Sequence, residues 1–402
     1  MRVARVLFLN GGLEGHVNPT LELVRELIGR GEDVVYITTD PLRGRVEETG
    51  AVVRTFDGTR FSESMRSGDV RHFLGVATGL LRTADVVIPT VLDEIRGEHF
   101  DYIIHDTMLG SGRILAELLK LPAIASCTTF ARQRSTVDGM LESLAARLSG
   151  DEYSRMVQDF RAQRDAVNQK FGVTVDSVHD AYSNPAPLTL VYTSRYFQPD
   201  GDHFDESFKF VGPIGKVPTA GRDELLDMLR DPLIYISLGT VFNQAPEFYH
   251  LCFEALQGTR YQVVLSVGTK TTVADLEPIP ANFLVRNYVP QIQVLNRSQL
   301  FVTHGGMNSV SEGLLHGIPL VVFPQGADQF AVAARVGELG AGVSLQPREL
   351  SPAEFRSTID RVLEDATVRR VCHDIGASLR AAGGATRAVD EVFSFKKAVG
   401  LD

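Results

Sequence analysis

The sequence predicts an α/β protein of two doubly wound parallel sheets facing each other across a cleft, and three observations lead there. Short β-rich runs alternate with helical patterns along all 402 residues, the pattern of parallel sheets with crossover helices. The alternation lapses in an aperiodic run from Val211 to Gly221 dense in Gly and Pro, and then restarts. The apolar runs end in Gly-rich loops, and in such sheets ligands bind at the carboxyl ends of the strands. At roughly 100–200 residues per domain, the length fits two domains.

The first domain is expected over 1–212, with strands at Ala4–Leu9, Asp33–Thr38, Val52–Phe56, Tyr102–His105, Ala123–Ser126 and Leu188–Thr193. Helical patterns fall between them at Thr20–Arg30, Val70–Arg96 and Ser111–Lys120. A charged segment from Ala131 to Val178 breaks the rhythm and reads as an inserted pair of helices. A linker follows over 213–228. The second domain, 229–385, carries strands near Leu233–Leu238, Gln262–Val267, Phe283–Tyr288, Leu300–Thr303, Leu320–Phe323 and Gly342–Leu345. The last segment, 386–402, reads as an amphipathic helix from Thr386 to Lys397.

Composition narrows the function. With 40 Lys and Arg against 50 Asp and Glu the net charge is −10, which disfavours a basic nucleic-acid-binding surface. Arg2 and Arg5 flank an apolar run to Leu9 that is too short for a secretory signal and lacks a cleavage pattern. No stretch approaches the roughly 18–20 uninterrupted apolar residues of a membrane span. Cys127, Cys252 and Cys372 stand in no metal or redox spacing, so a reducing cytoplasm is the expected location. There are 22 Phe and 10 Tyr but no Trp.

After the first strand, Asn10, Gly11, Gly12 and Gly15 nearly give a dinucleotide fingerprint, with Asn10 in place of the first glycine. His16 in that loop could act as a general base near neutral pH, or be a capping or packing residue. Asp106, at the end of the fourth strand, could hold one nitrogen of His16, or cap a helix. His105 faces the other way and reads as packing.

The second half is denser. Ser237 and Thr240 flank a glycine at a strand–helix turn suited to a phosphate, although a plain turn would look the same. His304, Gly305, Gly306, Asn308 and Ser309 lead a strand end into a helix, where unpaired N–H groups and a partial positive charge favour an anion. Farther along that helix, Glu312 could accept from ribose hydroxyls. Asp328 and Gln329 could bind vicinal hydroxyls or simply cap a helix. Tyr288 offers an aromatic face and Gln291 an amide. Together these four strand-end loops describe a nucleotide-sugar site.

At these residues the chain resembles the nucleotide-sugar-dependent glycosyltransferases of the two-domain GT-B fold, the UDP-glycosyltransferase superfamily. The resemblance runs from Gly15-His16-Val17-Asn18-Pro19 through a block from Tyr288 to Gln329 that matches Y/W-x-P-Q, H-x-G-x-N-S-x-x-E and D-Q in order. The short interval from Tyr288 to His304 resembles the bacterial macrolide and flavonoid type. It implies two Rossmann-like domains, an acceptor half and a donor half, and a C-terminal helix crossing back onto the first domain.

The same resemblance implies an inverting, metal-independent transfer of a hexose, glucose first, from a UDP-sugar to a hydroxyl of a small hydrophobic natural product. His16 would be the base and Asp106 its partner. Ser237, Thr240, His304, Gly306, Asn308 and Ser309 would hold the diphosphate, Tyr288 and Gln291 the uracil and ribose, Glu312 the ribose, and Asp328 with Gln329 the sugar. Phe61, Phe73, Met108 and Phe130 are acceptor-pocket candidates. No cofactor, nucleic acid or membrane partner is implied; the partners are the acceptor and the UDP- or TDP-sugar co-substrate. Many relatives stack the base on an indole, and here Tyr288 takes that place.

Competing readings are a UDP-sugar epimerase on the same scaffold, a TDP-deoxysugar-dependent antibiotic glycosyltransferase, a nicotinamide-dependent oxidoreductase and a non-catalytic sensor. The Asp200-Gly201-Asp202 triplet is formally a metal-binding D-x-D, but its charged surroundings read as a solvated loop. An EF-hand fails because Phe204 stands where an oxygen ligand is needed.

Overall fold

Strands buried on both faces need apolar side chains on both, which is why the runs read from the sequence are continuous and not alternating. The computed structural model describes residues 3–67, 71–215, 223–239, 243–346 and 350–401. Val70, residues 216–222 of the expected linker and Thr240 lie outside the described residues. The chain divides into two compact units.

The first unit comprises Met1–Thr193, Asp200–Ile214 and Gly383–Asp402. Its strands are β1 (Arg5–Leu9), β2 (Asp33–Thr39), β3 (Val52–Phe56), β4 (Tyr102–Asp106), β5 (Ala123–Cys127), β6 (Leu188–Val191) and β7 (Phe208–Phe210). They form a parallel sheet in the order β3-β2-β1-β4-β5-β6-β7. β7 was not read from the sequence. Leu7, Leu9, Val35 and Ile37 pack on one face, and Val6, Phe8, Val34 and Tyr36 on the other. The order reverses between β1 and β4, which opens a crevice at their carboxyl ends.

Between β5 and β6 the chain inserts helices Arg134–Arg147 and Gly150–Phe171, the second capped by Ser149 Oγ on Glu152 N and ended by Gly172 at φ 66°. The run expected as one helix is two, Phe73–Arg82 and Ala84–Glu94. The span Phe73–Glu94 is long and apolar enough to cross a membrane, but 67% of its apolar window is buried, as for a core helix. The second core is completed by helix Gly384–Ala398, which packs on helix Leu21–Gly29 through Ala388, Val389 and Val392. There Lys396 Nζ pairs with Glu32 at 2.5 Å, with side chains only 4% and 2% exposed. Arg30 pairs with Asp390 at the surface.

The second unit comprises Ser194–Pro199 and Gly215–Ala382. Its strands are β8 (Leu233–Ser237), β9 (Gln262–Ser266), β10 (Phe283–Arg286), β11 (Leu300–Thr303), β12 (Leu320–Val322) and β13 (Gly342–Ser344). They form a parallel sheet in the order β10-β9-β8-β11-β12-β13, with its reversal between β8 and β11. Arg335 donates to the carbonyls of Tyr196, Phe197 and Gln198 and so holds the 194–199 segment in this unit.

The Asp200–Asp202 triplet lies in a short turn with Asp202 and His203 exposed. Among the described residues no group of three or more His, Cys, Asp or Glu is placed to hold a metal ion. All three cysteines are buried free thiols.

Candidate active site

In the first unit, Leu9 of β1 is paired with His105 of β4, so the loop after β1 and Asp106 emerge side by side at the sheet reversal. Gly12 has φ 76°, and a Cβ there would collide with the Thr39 side chain, so the turn needs glycine. Asn10, fully buried, explains its own departure from the glycine fingerprint. Its Nδ2 donates to the His16 carbonyl at 3.1 Å and its Oδ1 accepts from Gly12 N at 3.2 Å, tying both ends of the loop together.

His16 ends up with Nδ1 2.9 Å from Asp106 Oδ2 and 2.9 Å from Thr128 Oγ1. The Asp106 side chain is 1% exposed and also accepts from Met108 N at 3.0 Å. A carboxylate only accepts, so the neutral imidazole carries its proton on Nδ1 and its lone pair on Nε2. That is the form a general base needs. Asn184, left-handed at φ 45°, donates Nδ2 to the carbonyls of Asp106 (3.2 Å) and Leu109 (2.5 Å), fixing the loop that carries the carboxylate. His105 is fully buried with its ring against Gly112, and burial pushes it down to about 4. Of the acceptor-pocket candidates, Phe61 and Phe130 are buried, with Phe61 against Phe56 and beside Gly11. Phe73, edge-on to Tyr182, and Met108 are half-buried.

In the second unit, Ser237 ends β8 opposite Thr303 of β11, so the Ser237 turn and the His304 loop are neighbours. Ser237 Oγ accepts from Gly239 N at 3.3 Å. A Cβ on Gly239 (φ 75°) would fall 2.5 Å from the His304 ring, and one on Gly306 would also strike it. The imidazole thus lies between two glycines, and burial lowers it to about 4, so it is neutral near pH 7. Among the described residues its buried Nδ1 has no hydrogen-bond partner. Helix Met307–Leu315 starts at Gly306, and among the described residues no side chain caps it, the kind of helix N-terminus that favours an anion. Asn308 and Ser309 are half-buried in its first turn.

Glu312 accepts from Gln291 Nε2 at 2.5 Å, and Gln291 Oε1 accepts from the Tyr235 hydroxyl at 2.9 Å. Burial raises the Glu312 carboxyl above its ordinary value, opposed by the Gln291 bond. Tyr288, just past β10, is 79% exposed, unlike any other tyrosine of a strand end here. Gln329 is buried and its Oε1 accepts from Gln325 N and Gly326 N at 2.8 and 3.2 Å, so it shapes its own loop. Ala327, at φ 55°, is forced left-handed immediately before Asp328. The half-buried Asp328 makes no side-chain cap on helix Gln329–Leu339, so the capping alternative does not hold for it. Asn10, Thr128, Asn184 and Tyr235 were not given these roles from the sequence; only Asn10 had a local signal, its place in a glycine pattern.

Residues 253–392 match the family model described as the erythromycin biosynthesis protein CIII-like C-terminal domain. The chain is 34% identical to an uncharacterized UDP-glucosyltransferase, YojK, of Bacillus subtilis over 400 residues, 98% of each chain. It is 31% identical to demethyllactenocin mycarosyltransferase of Streptomyces fradiae, covering 97% of this chain and 86% of that one. The crystal structure of the calicheamicin glycosyltransferase CalG4 is similar with a TM-score of 0.85 and 29% identity, over 99% of both chains.

Proposed function

Because the chain belongs to the nucleotide-sugar-dependent GT-B glycosyltransferases of the bacterial macrolide type, we propose that it moves glucose from UDP-glucose to a hydroxyl of a small hydrophobic natural product with inversion. As a glycosyltransferase it is neither the epimerase nor the oxidoreductase considered above. The observation that carries the mechanism is the 2.9 Å contact between His16 Nδ1 and the buried Asp106 carboxylate.

In this mechanism His16 Nε2 takes the proton of the acceptor hydroxyl while its oxygen attacks the anomeric carbon. The bond from that carbon to the diphosphate breaks, and UDP leaves with the electron pair. Asp106 holds the tautomer and stabilises the imidazolium that forms. The leaving charge is met by the uncapped start of helix Met307–Leu315 with Asn308 and Ser309, and by Ser237. Tyr288 serves as the stacking face for uracil, Glu312 accepts from the ribose, and Asp328 from the sugar. His304, neutral and wedged between Gly239 and Gly306, acts as a dipolar donor and spacer and not as a cation.

The second reading is a deoxysugar on TDP as donor, and the likeness to a mycarosyltransferase supports a sugar other than glucose. A screen of UDP- and TDP-sugars against phenolic and macrolide acceptors, read by mass, separates the two. In the same assay His16→Ala is expected to lose transfer to an alcohol by about 10²–10⁴-fold while still binding UDP. Full turnover in that variant would overturn the base assignment.

A further inference from the structure

Tyr288 is 79% exposed, so packing alone does little to hold it. Its neighbour Asn287 is tied down: the single amide nitrogen Nδ2 donates to the carbonyls of Gly268 at 2.7 Å and Thr271 at 2.6 Å. Both hydrogens of the amide are used. The two carbonyls belong to the loop after β9, which bends at Gly268 (φ 74°), so one side chain fastens that loop to the end of β10. The line of bonds continues. Thr271 Oγ1 donates to the Asn243 carbonyl at 3.2 Å, and Asn243 Nδ2 donates to the Gly239 carbonyl at 2.9 Å. Asn243 is itself 1% exposed and is anchored by the Tyr249 hydroxyl on its carbonyl at 2.6 Å. The carboxyl ends of three adjacent strands, β10, β9 and β8, are thereby joined from Tyr288 to the turn at Ser237 and Gly239.

We propose that Asn287 is a positioning residue of the nucleotide site. It sets the height and tilt of the Tyr288 ring by pinning the 268–271 loop, and through Thr271 and Asn243 it fixes the distance from that ring to the phosphate turn. This rests on the reading of Tyr288 as the base platform. A stacking face on an otherwise exposed side chain works only if the backbone beneath it is held, and supporting hydrogen bonds supply that rigidity.

With no Trp in the chain, Tyr288→Trp creates a single-tryptophan reporter whose emission comes from the platform alone. UDP is expected to quench it. Placed in that reporter, Asn287→Asp and Asn287→Leu both remove the two donors and keep a similar size. Each is expected to raise the UDP dissociation constant roughly fivefold to twentyfold, the loss of one to two neutral hydrogen bonds. An unchanged constant in both overturns the proposal. Weakening by Asp alone assigns the effect to charge and overturns it too. Absence of any quenching in the parent reporter overturns the platform reading, and the proposal with it. Far-ultraviolet dichroism without UDP checks folding. If the Asn287 variants do not fold, Thr271→Val breaks the line one bond farther on. It is expected to raise the constant about threefold, and no change in it overturns the proposal.

Discussion

His16 Nδ1 has two oxygen neighbours of different chemistry, the Asp106 carboxylate and the Thr128 hydroxyl, and they predict different losses. Asp106→Asn keeps the shape but can offer an N–H to Nδ1, which selects the wrong tautomer. The expected fall in kcat is about 10²–10⁴-fold. Thr128→Val leaves the carboxylate in place, so the expected fall is only about threefold to tenfold, one neutral hydrogen bond. Equal losses in kcat for the two variants would show that the carboxylate is not the dominant partner. Two other histidines predict a pH dependence of stability. Burial holds His105 and His304 near 4, against 6.5 for the free side chain. The unfolded chain therefore takes up protons that the folded chain refuses. Their contribution is full above pH 6.5 and is lost as pH falls towards 4. Tm measured from pH 8 to 4.5 should decline below about 6.5, and His105→Gln should make the decline shallower.

At the scale of elements, most strands were legible because a parallel strand buried on both faces leaves an unbroken apolar run. β7 was not: Phe208–Phe210 is three half-buried residues on the sheet edge, following a charged loop. The order of strands, which puts β1 beside β4 and β8 beside β11, leaves no mark in the sequence, yet it brings Asp106 to His16 across 90 residues. The same holds for Thr128, 112 residues from His16, since a hydroxyl has no motif at that distance. Gln291 and Gln329 were legible as polar strand-end residues, but not their contacts. Gln291 spends its amide on Glu312 and Tyr235, and Gln329 spends its oxygen on its own loop. Gly239 gives a direct test of the strand-end geometry. In Gly239→Ala the left-handed backbone costs about 1–2 kcal/mol, and the new methyl lies 2.5 Å from the His304 ring. UDP affinity measured by calorimetry should fall at least about tenfold, and an unchanged value would mean that ring and loop can part without consequence.

At the scale of the molecule, the buried Lys396–Glu32 pair closes the first unit, and the Tyr102 hydroxyl adds a bond to the same carboxylate at 2.9 Å. The ammonium also lies 4.6 Å from the centre of the Phe393 ring. Removing one partner of such a pair strands the other charge. Lys396→Met should therefore cost about 3–5 kcal/mol in urea unfolding, whereas Lys396→Met with Glu32→Gln should cost less. Equal losses would indicate that the stranded Glu32 charge is not what the substitution costs.

The pair spans 364 positions, and this bears on how the protein is made. On the ribosome the first sheet is synthesised early, but helix Gly384–Ala398, which shares a core with Val6, Phe8 and Tyr36, emerges only after the second unit. Until then that core lacks Ala388, Val389 and Val392, and the Glu32 carboxylate lacks its cation. The second unit, continuous from Gly215 to Ala382 apart from a short earlier segment, can fold in the meantime. The nascent first half thus waits with this part of its core unfilled for the translation time of everything in between.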